Sequence, residues 1–208
     1  MNILQNGISY FLKGGLIMWP LLACSIASAA LILDRLAFFH RAETDRKFTG
    51  LFCAALRKDD WQEARNLAQS TKGGEAALAI RLLDAPEAVR SQDAFIVSES
   101  TQIIDKYEQG LSYMQVIVTL APLLGLLGTI TGMMASFHAL SSRWENPLAV
   151  TSGVGEALIT TVFGLGIAIV TICFHAYFSQ RVHRIAMDME NIANTFSEAV
   201  LRQKGNKQ

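Results

Sequence analysis

Of the 208 residues of this chain, 51% are hydrophobic and 17% charged, with 18 Lys and Arg balancing 18 Asp and Glu. The zero net charge averages over segregated segments and leaves no basic face for nucleic acid. Cys24, Cys53 and Cys173 stand at no disulfide or metal spacing and read as small apolar fillers. No phosphate-binding glycine loop, HExxH or CxxC pattern, or serine in a strand-turn-helix setting occurs, so no enzyme activity, cofactor or metal is expected.

Residues 14–33, 109–142 and 157–180 contain no Asp, Glu, Lys or Arg. About twenty residues at ~1.5 Å rise span ~30 Å of hydrocarbon, and these stretches lack the charged face that a helix of a soluble protein keeps. The expectation is an all-α integral membrane protein with three transmembrane helices. Residues 1–38 hold the amino terminus and the first span. That span has only Lys13 before it and ends in Asp34-Arg35 instead of a small-residue cleavage site, so it reads as an anchor and not as a signal peptide.

Residues 39–107 form a helical region. Phe48, Phe52, Ala55 and Leu56 share one face; Asp59-Asp60 caps a second helix carrying Trp61, Ala64, Leu67 and Ala68; Gly73-Gly74 interrupts, and Ala76 to Leu83 resumes the pattern. After Pro86 no breaker occurs until Gly110, and Val97, Thr101, Ile104, Tyr107 and Leu111 keep one spacing. One continuous helix is therefore predicted from this region into the second span.

The second span, residues 108–140, carries small residues at steps of four and three: Ala121, Gly125, Gly128, Gly132, Ala135 and Ala139, with Thr129 and Ser136 beside them. A loop, 141–146, leads to the third span, 147–180, where Asn146-Pro147 fits an N-cap followed by proline in the first turn. Gly153, Ala157, Thr161, Gly164, Ala168, Thr171 and His175 make the matching stripe. Such stripes let helix backbones approach where lipid supplies no hydrophobic drive. In the tail, 181–208, Val182, Ile185, Met189, Ile192, Phe196 and Ala199 form a helix-packing seam. Only Lys13 and Arg143 of the eighteen basic residues lie on the amino-terminal side, so the positive-inside rule puts the amino terminus outside and residues 39–107 and the tail in the cytoplasm. Trp19, Trp144 and Tyr177 fit interfacial positions; His40, His138 and His183 read as interface residues without a role.

Glu156 is the residue that asks for a reason. A helix starting at Pro147 puts it ~14 Å down the third span, where an isolated charge costs roughly 2.5–3.5 kcal/mol on insertion scales. A start near Gly155 would instead make it a surface cap. Thr160 lies ~40° around the helix from it, and Thr129 lies on the facing span. Such a seam can host protons or hydrated ions, or it can satisfy the acid by hydrogen bonds; chemistry leaves both open.

Three motifs carry a resemblance over nearly the whole chain. Gly14-Gly15-Leu16-Ile17-Met18-Trp19-Pro20-Leu21-Leu22, Leu120-Ala121-Pro122-Leu123-Leu124-Gly125-Leu126-Leu127-Gly128-Thr129 and Gly153-Val154-Gly155-Glu156-Ala157-Leu158-Ile159-Thr160-Thr161 resemble the ExbB/TolQ branch of the MotA/TolQ/ExbB family. The resemblance implies a stator or proton-channel subunit of the bacterial inner membrane. It further implies a homo-oligomeric ring, typically a pentamer, around the single spans of an ExbD- or TolR-like partner that supplies the proton-carrying aspartate, working on a TonB- or TolA-like protein that spans the periplasm. Thr129, Glu156 and Thr161 match the family's polar pore positions, with Thr160 beside them; Gly125, Gly128, Gly132, Gly164 and Ala168 are the helix-packing positions. The first motif points to ExbB more than TolQ. Some relatives carry a proline and then Tyr-Asn late in the third span, where this chain has Val170 and His175-Ala176. His175 is a possible relay or an interfacial imidazole. The rival from another class is a passive membrane scaffold in which Glu156 makes one structural hydrogen bond.

Overall fold

The computed structural model describes residues 15–42, 47–85, 93–142 and 147–205. They form seven helices: α1 (Met18–Ala42), α2 (Phe48–Arg57), α3 (Trp61–Ser70), α4 (Gly74–Asp84), α5 (Asp93–Glu108), α6 (Leu111–Ser142) and α7 (Pro147–Gly205). The all-α expectation holds, with no strand among the described residues. α1, α6 and α7 are long and apolar enough to cross a membrane. The chain divides into two compact units, Met1–Leu33 with Leu111–Ala176, and Asp34–Gly110 with Tyr177–Gln208. α7 contributes its first part to one and its last part to the other.

The first unit is a packing of spans. Pro20 falls in the first turn of α1, where a missing N–H breaks no helical bond. Met18, Leu21 and Ala121 are buried together, with Ile17, Leu124 and Ile167 against them. Deeper in the span, the hydroxyls of Ser28 on α1 and Thr171 on α7 meet at 2.6 Å, both buried. Two hydroxyls satisfy each other where neither lipid nor water would.

In the second unit the apolar faces close on α7. Phe48, Phe52, Ala55 and Leu56 are buried as their spacing predicts, and Asp60 Oδ1 accepts from the Glu63 N–H at 2.9 Å, so the expected cap of α3 is present. Ala64, Ala68 and residues of α4 from Ala76 to Leu83 supply the small and branched side chains beneath. Val182, Met189, Ile192, Phe196 and Ala199 of the predicted seam are buried and Ile185 is half-buried. An aromatic layer joins the elements: Phe39 stacks on Phe178 at 5.4 Å, Tyr107 meets Phe38 at 5.3 Å, and Trp61 meets Phe196 edge-on at 6.0 Å. Cys53 is buried as the expected small filler, with its Sγ 3.8 Å from the Asn191 carbonyl. The ion pairs Arg65–Asp84 and Arg81–Glu99 lie on the surface, where such pairs contribute little.

One expectation fails. The helix predicted to run unbroken into the second span is two helices, α5 and α6, separated at Gln109-Gly110. The Gln109 N–H still closes on the Asp105 carbonyl at 3.0 Å, but Gly110 takes φ +82° and ends the ladder. The apolar spacing continues through the break, so periodicity alone hides it; a glycine in the left-handed conformation is the usual end of a helix. A Cβ there would also stand 2.6 Å from Arg35 Nε, so the end of that side chain, whose guanidinium pairs with Asp34 at 3.1 Å and covers Phe38, would have to shift. Asn146, the expected cap of α7, lies outside the described residues, as do Arg143 and Trp144.

Two outcomes follow. Gly110→Ala should destabilise the detergent-purified protein by about 1–2 kcal/mol through the left-handed backbone alone, read as a lower melting temperature; an unchanged melt would show that the break is dispensable. Tyr107 is buried beside Glu75, and burial first, then that carboxylate, push its phenol up to about 12, partly offset by a hydrogen bond with the Gly74 backbone. The folded state therefore holds this proton longer than the unfolded chain does. Its contribution to stability is complete below the ordinary phenol range near ~10 and is lost as pH rises toward about 12. The wild-type melting temperature should fall across that window more steeply than that of Tyr107→Phe.

Candidate functional site

α6 and α7 pair antiparallel along the two small-residue stripes. On α7, Ala157, Gly164, Ala168 and Thr171 are buried and Gly153, Thr161 and His175 half-buried, as the stripe predicts. On α6, Ala121, Gly125 and Gly128 are buried and Gly132 half-buried, but the next buried position is Ser136, with Ala135 exposed. The stripe advances by four there instead of three because the facing residue is Gly153, whose missing side chain makes room for the Ser136 hydroxyl. The side chain of Ala139 lies outside the described ones.

The approach is so close that at Gly164 and Gly125 the nearest facing atoms are backbone. A Cβ on Gly164 would stand 2.5 Å from the Ala121 carbonyl oxygen, one on Gly125 3.0 Å from Thr161 Cα, and one on Gly132 2.8 Å from Ala157 Cβ; one on Gly128 would collide with the Thr160 hydroxyl. Contacts of that kind gain dispersion over their whole length, which is the main attraction between helices in lipid. Gly155 and Gly166, in the same helix, have nothing within 4 Å of such a Cβ.

The polar groups of the seam are engaged. Thr161 donates to the Gly125 carbonyl of α6 at 2.8 Å. Thr160, only 1% exposed, donates to Ala157 at 2.7 Å in its own helix and reaches the same Gly125 carbonyl at 3.5 Å. Ser136 donates to Gly132 at 2.9 Å. Thr129, half-buried beside the stripe, donates to Leu126 at 2.7 Å, which keeps its hydroxyl against its own helix with lone pairs free to accept.

Of the residues expected to form a polar pathway, Thr160 and Thr161 thus meet at one α6 carbonyl, and Thr129 sits one turn further along that helix. Glu156 is nine residues into α7, which begins at Pro147, so it does not cap the helix. Its side chain lies outside the described ones. His175 is half-buried on the same helix, nineteen positions on. Of the helix-packing positions, Gly125, Gly128, Gly132 and Gly164 lie in the seam, and Ala168 is buried on the same stripe of α7. Sequence reasoning missed Ser28, the α1 partner of Thr171. The small run Ser25-Ile26-Ala27-Ser28-Ala29 was the signal that could have found it, since a serine among alanines in a span marks a packed face.

Gly164→Val should separate α6 from α7 and lower the stability of the extracted protein by about 1–3 kcal/mol or more through overpacking against backbone. Gly166→Ala, two residues away in open space, should leave the melt unchanged or slightly raised. Equal effects at the two positions would mean that the seam is not close-packed.

The chain matches the model of the MotA/TolQ/ExbB proton channel family over residues 72–191, a stretch holding α6 and the part of α7 that packs against it. It is 36% identical over 202 residues to the putative biopolymer transport protein ExbB-like 1 of Synechocystis, covering 91% of this chain and 74% of that one. Identity is 27% over 193 residues to biopolymer transport protein exbB1 of Vibrio cholerae, covering 86% and 82%. With the Tol-Pal system protein TolQ of Haemophilus influenzae it is 32% over 123 residues, 58% of this chain and 54% of that one. Three long apolar helices with these relatives make it a multi-pass membrane protein, and the chain belongs to the MotA/TolQ/ExbB proton channel family.

Proposed function

We propose that this chain is the proton-conducting stator subunit of an inner-membrane complex that couples inward proton flow to TonB-dependent transport across the outer membrane. The observation that carries the reading is a family match whose span includes the close-packed α6–α7 seam, its carbonyl-bonded threonines and the intrahelical acid Glu156. The chain sits with its amino terminus in the periplasm and residues 39–107 and the tail from 181 in the cytoplasm, following the bias of its basic residues. Several copies, five by family resemblance, surround the single span of an ExbD- or TolR-like partner. Thr129, Glu156 and Thr161 line the path, Thr160 fixes its wall by binding the seam carbonyls, and His175 extends it inward.

One acid and a few hydroxyls per copy make a thin path alone; repeated around a ring and completed by a partner's acid they form a continuous polar conduit. A proton crossing ~100 mV releases about 2.3 kcal/mol. That is enough to bias a partner helix between orientations as its acid binds and releases protons, with the rigid seam as the fixed wall against which it moves.

A second reading, a TolQ-type subunit serving the cell envelope, is favoured by the 32% identity to a TolQ over 123 residues. Complementation of strains lacking either protein separates the two.

Glu156→Gln should leave assembly with the partner intact and cut proton uptake by vesicles holding the reconstituted complex at least about tenfold, equivalent to ~1.4 kcal/mol; Thr161→Val should reduce uptake less. Unchanged flux in both would remove these side chains from the conduit and leave a passive scaffold.

A further inference from the structure

Two surfaces of the helical region expose apolar groups in the single chain. One is the outer face of α2, where Leu51 is 53% exposed, Ala54 is exposed, and Gly50 would present a Cβ to open space. Lys58 continues this face and Arg57 stands beside it, both exposed; no acid lies between Lys47 and Lys58, and of the two that follow, Asp59 is exposed and Asp60 is bound to the first turn of α3. The other is a groove of about 760 Å³ between α5 and the tail of α7. Val97 and Met187, 61% and 51% exposed, stand on its two walls. Its α7 wall continues through Glu190, Asn194 and Glu198 at steps of three and four, and Val97, Thr101 and Ile104 do the same on α5. Two such rows side by side form a trough that accepts the ridge of a third helix.

Charge and position select the occupant. Among the described residues, Glu190, Glu198 and His183 are the titratable groups lining the groove and no Lys or Arg does, so it suits a basic, narrow helix with an apolar knob. α2 is such a helix. Its Cys53 Sγ lies 3.8 Å from the Asn191 carbonyl, which sets α2 beside α7 at the level of the groove's midpoint, since the groove runs from His183 to Glu198. Asn191 is also about 100° around α7 from Glu190, so knob and groove occupy different sides of one helix at one height. A rotation about an axis parallel to the α7 tail preserves that height, so these two faces can meet between neighbours.

We propose that in the assembled complex α2 of one copy lies in the α5–α7 groove of the next, with Leu51 between Val97 and Met187 and Arg57-Lys58 facing Glu190 and Glu198. This rests on the homo-oligomeric reading above and specifies its cytoplasmic contact. Because the two patches differ, the contact is heterologous and closes as a ring instead of a two-fold dimer.

The test is disulfide trapping in membranes of cells expressing the full chain with its three cysteines replaced by alanine. Leu51→Cys combined with Met187→Cys should, on oxidation, give a ladder of linked species from dimer to complete ring, whereas each single variant stays monomeric on the gel. A dimer from Leu51→Cys alone would overturn the proposal in favour of a symmetric α2 contact. An extracted complex of oligomeric mass without a ladder would overturn this interface and leave the ring intact; a monomeric mass would overturn both. As an independent arm, Arg57→Glu with Lys58→Glu should reduce ladder yield about fivefold, and adding Glu190→Lys with Glu198→Lys should restore it. Failure of that restoration also counts against the proposal.

Discussion

The contact on which the rest of this structure depends is the close antiparallel approach of α6 and α7. In lipid, apolar side chains lose nothing by leaving one another's company for the bilayer, so two spans stay together only through dispersion at short range and through polar groups that find partners. Gly164 against the Ala121 carbonyl and Gly132 against Ala157 provide the first. Thr160 and Thr161 on the Gly125 carbonyl provide the second. A pair held by backbone proximity has few side-chain rotamers to relax. It is therefore a stiff element.

The helical region obeys different physics. There water supplies the drive, and large side chains are buried: Phe52, Phe178 and Phe196 are among the largest fully enclosed. α7 takes part in both regimes, its buried face small and hydroxylated from Ala157 to Thr171 and then built of larger side chains, Phe178, Met189, Ile192 and Phe196. The change falls near Arg181, whose guanidinium covers the Tyr177 ring at 4.9 Å, an arrangement suited to the boundary between hydrocarbon and water. One helix thus records in its composition which solvent surrounds each part of it.

The matched residues, 72–191, begin just before α4 and take in α5, α6 and α7 down to the level of Asn191. They include the seam and the α5 and upper α7 walls of the groove. α1, α2 and α3 lie outside the matched stretch, although the Synechocystis relative aligns over 91% of the chain. In the proposed assembly α2 of one copy is clasped by the α5–α7 groove of the next.

Composition and periodicity by themselves determined much of this protein: three spans, because charge is absent over lengths matched to hydrocarbon; the α7 stripe from Gly153 to Thr171, because small residues recur at helical steps; the cap at Asp60 and the buried face of α2, because both are local. The side chain of Glu156, from which the functional reading began, lies outside the described ones, so its role rests on the family and on its place in α7. Tertiary structure decided what depends on a facing residue. It chose Ser136 over Ala135, since both lie near the stripe and only Gly153 opposite distinguishes them, and it paired Ser28 with Thr171 across 143 positions. It also broke the helix at Gly110, where Arg35 from a distant segment fills the space a side chain would need. Periodicity reports which face of a helix is packed; it is silent about what stands opposite, because that is a property of two chain segments and not of one.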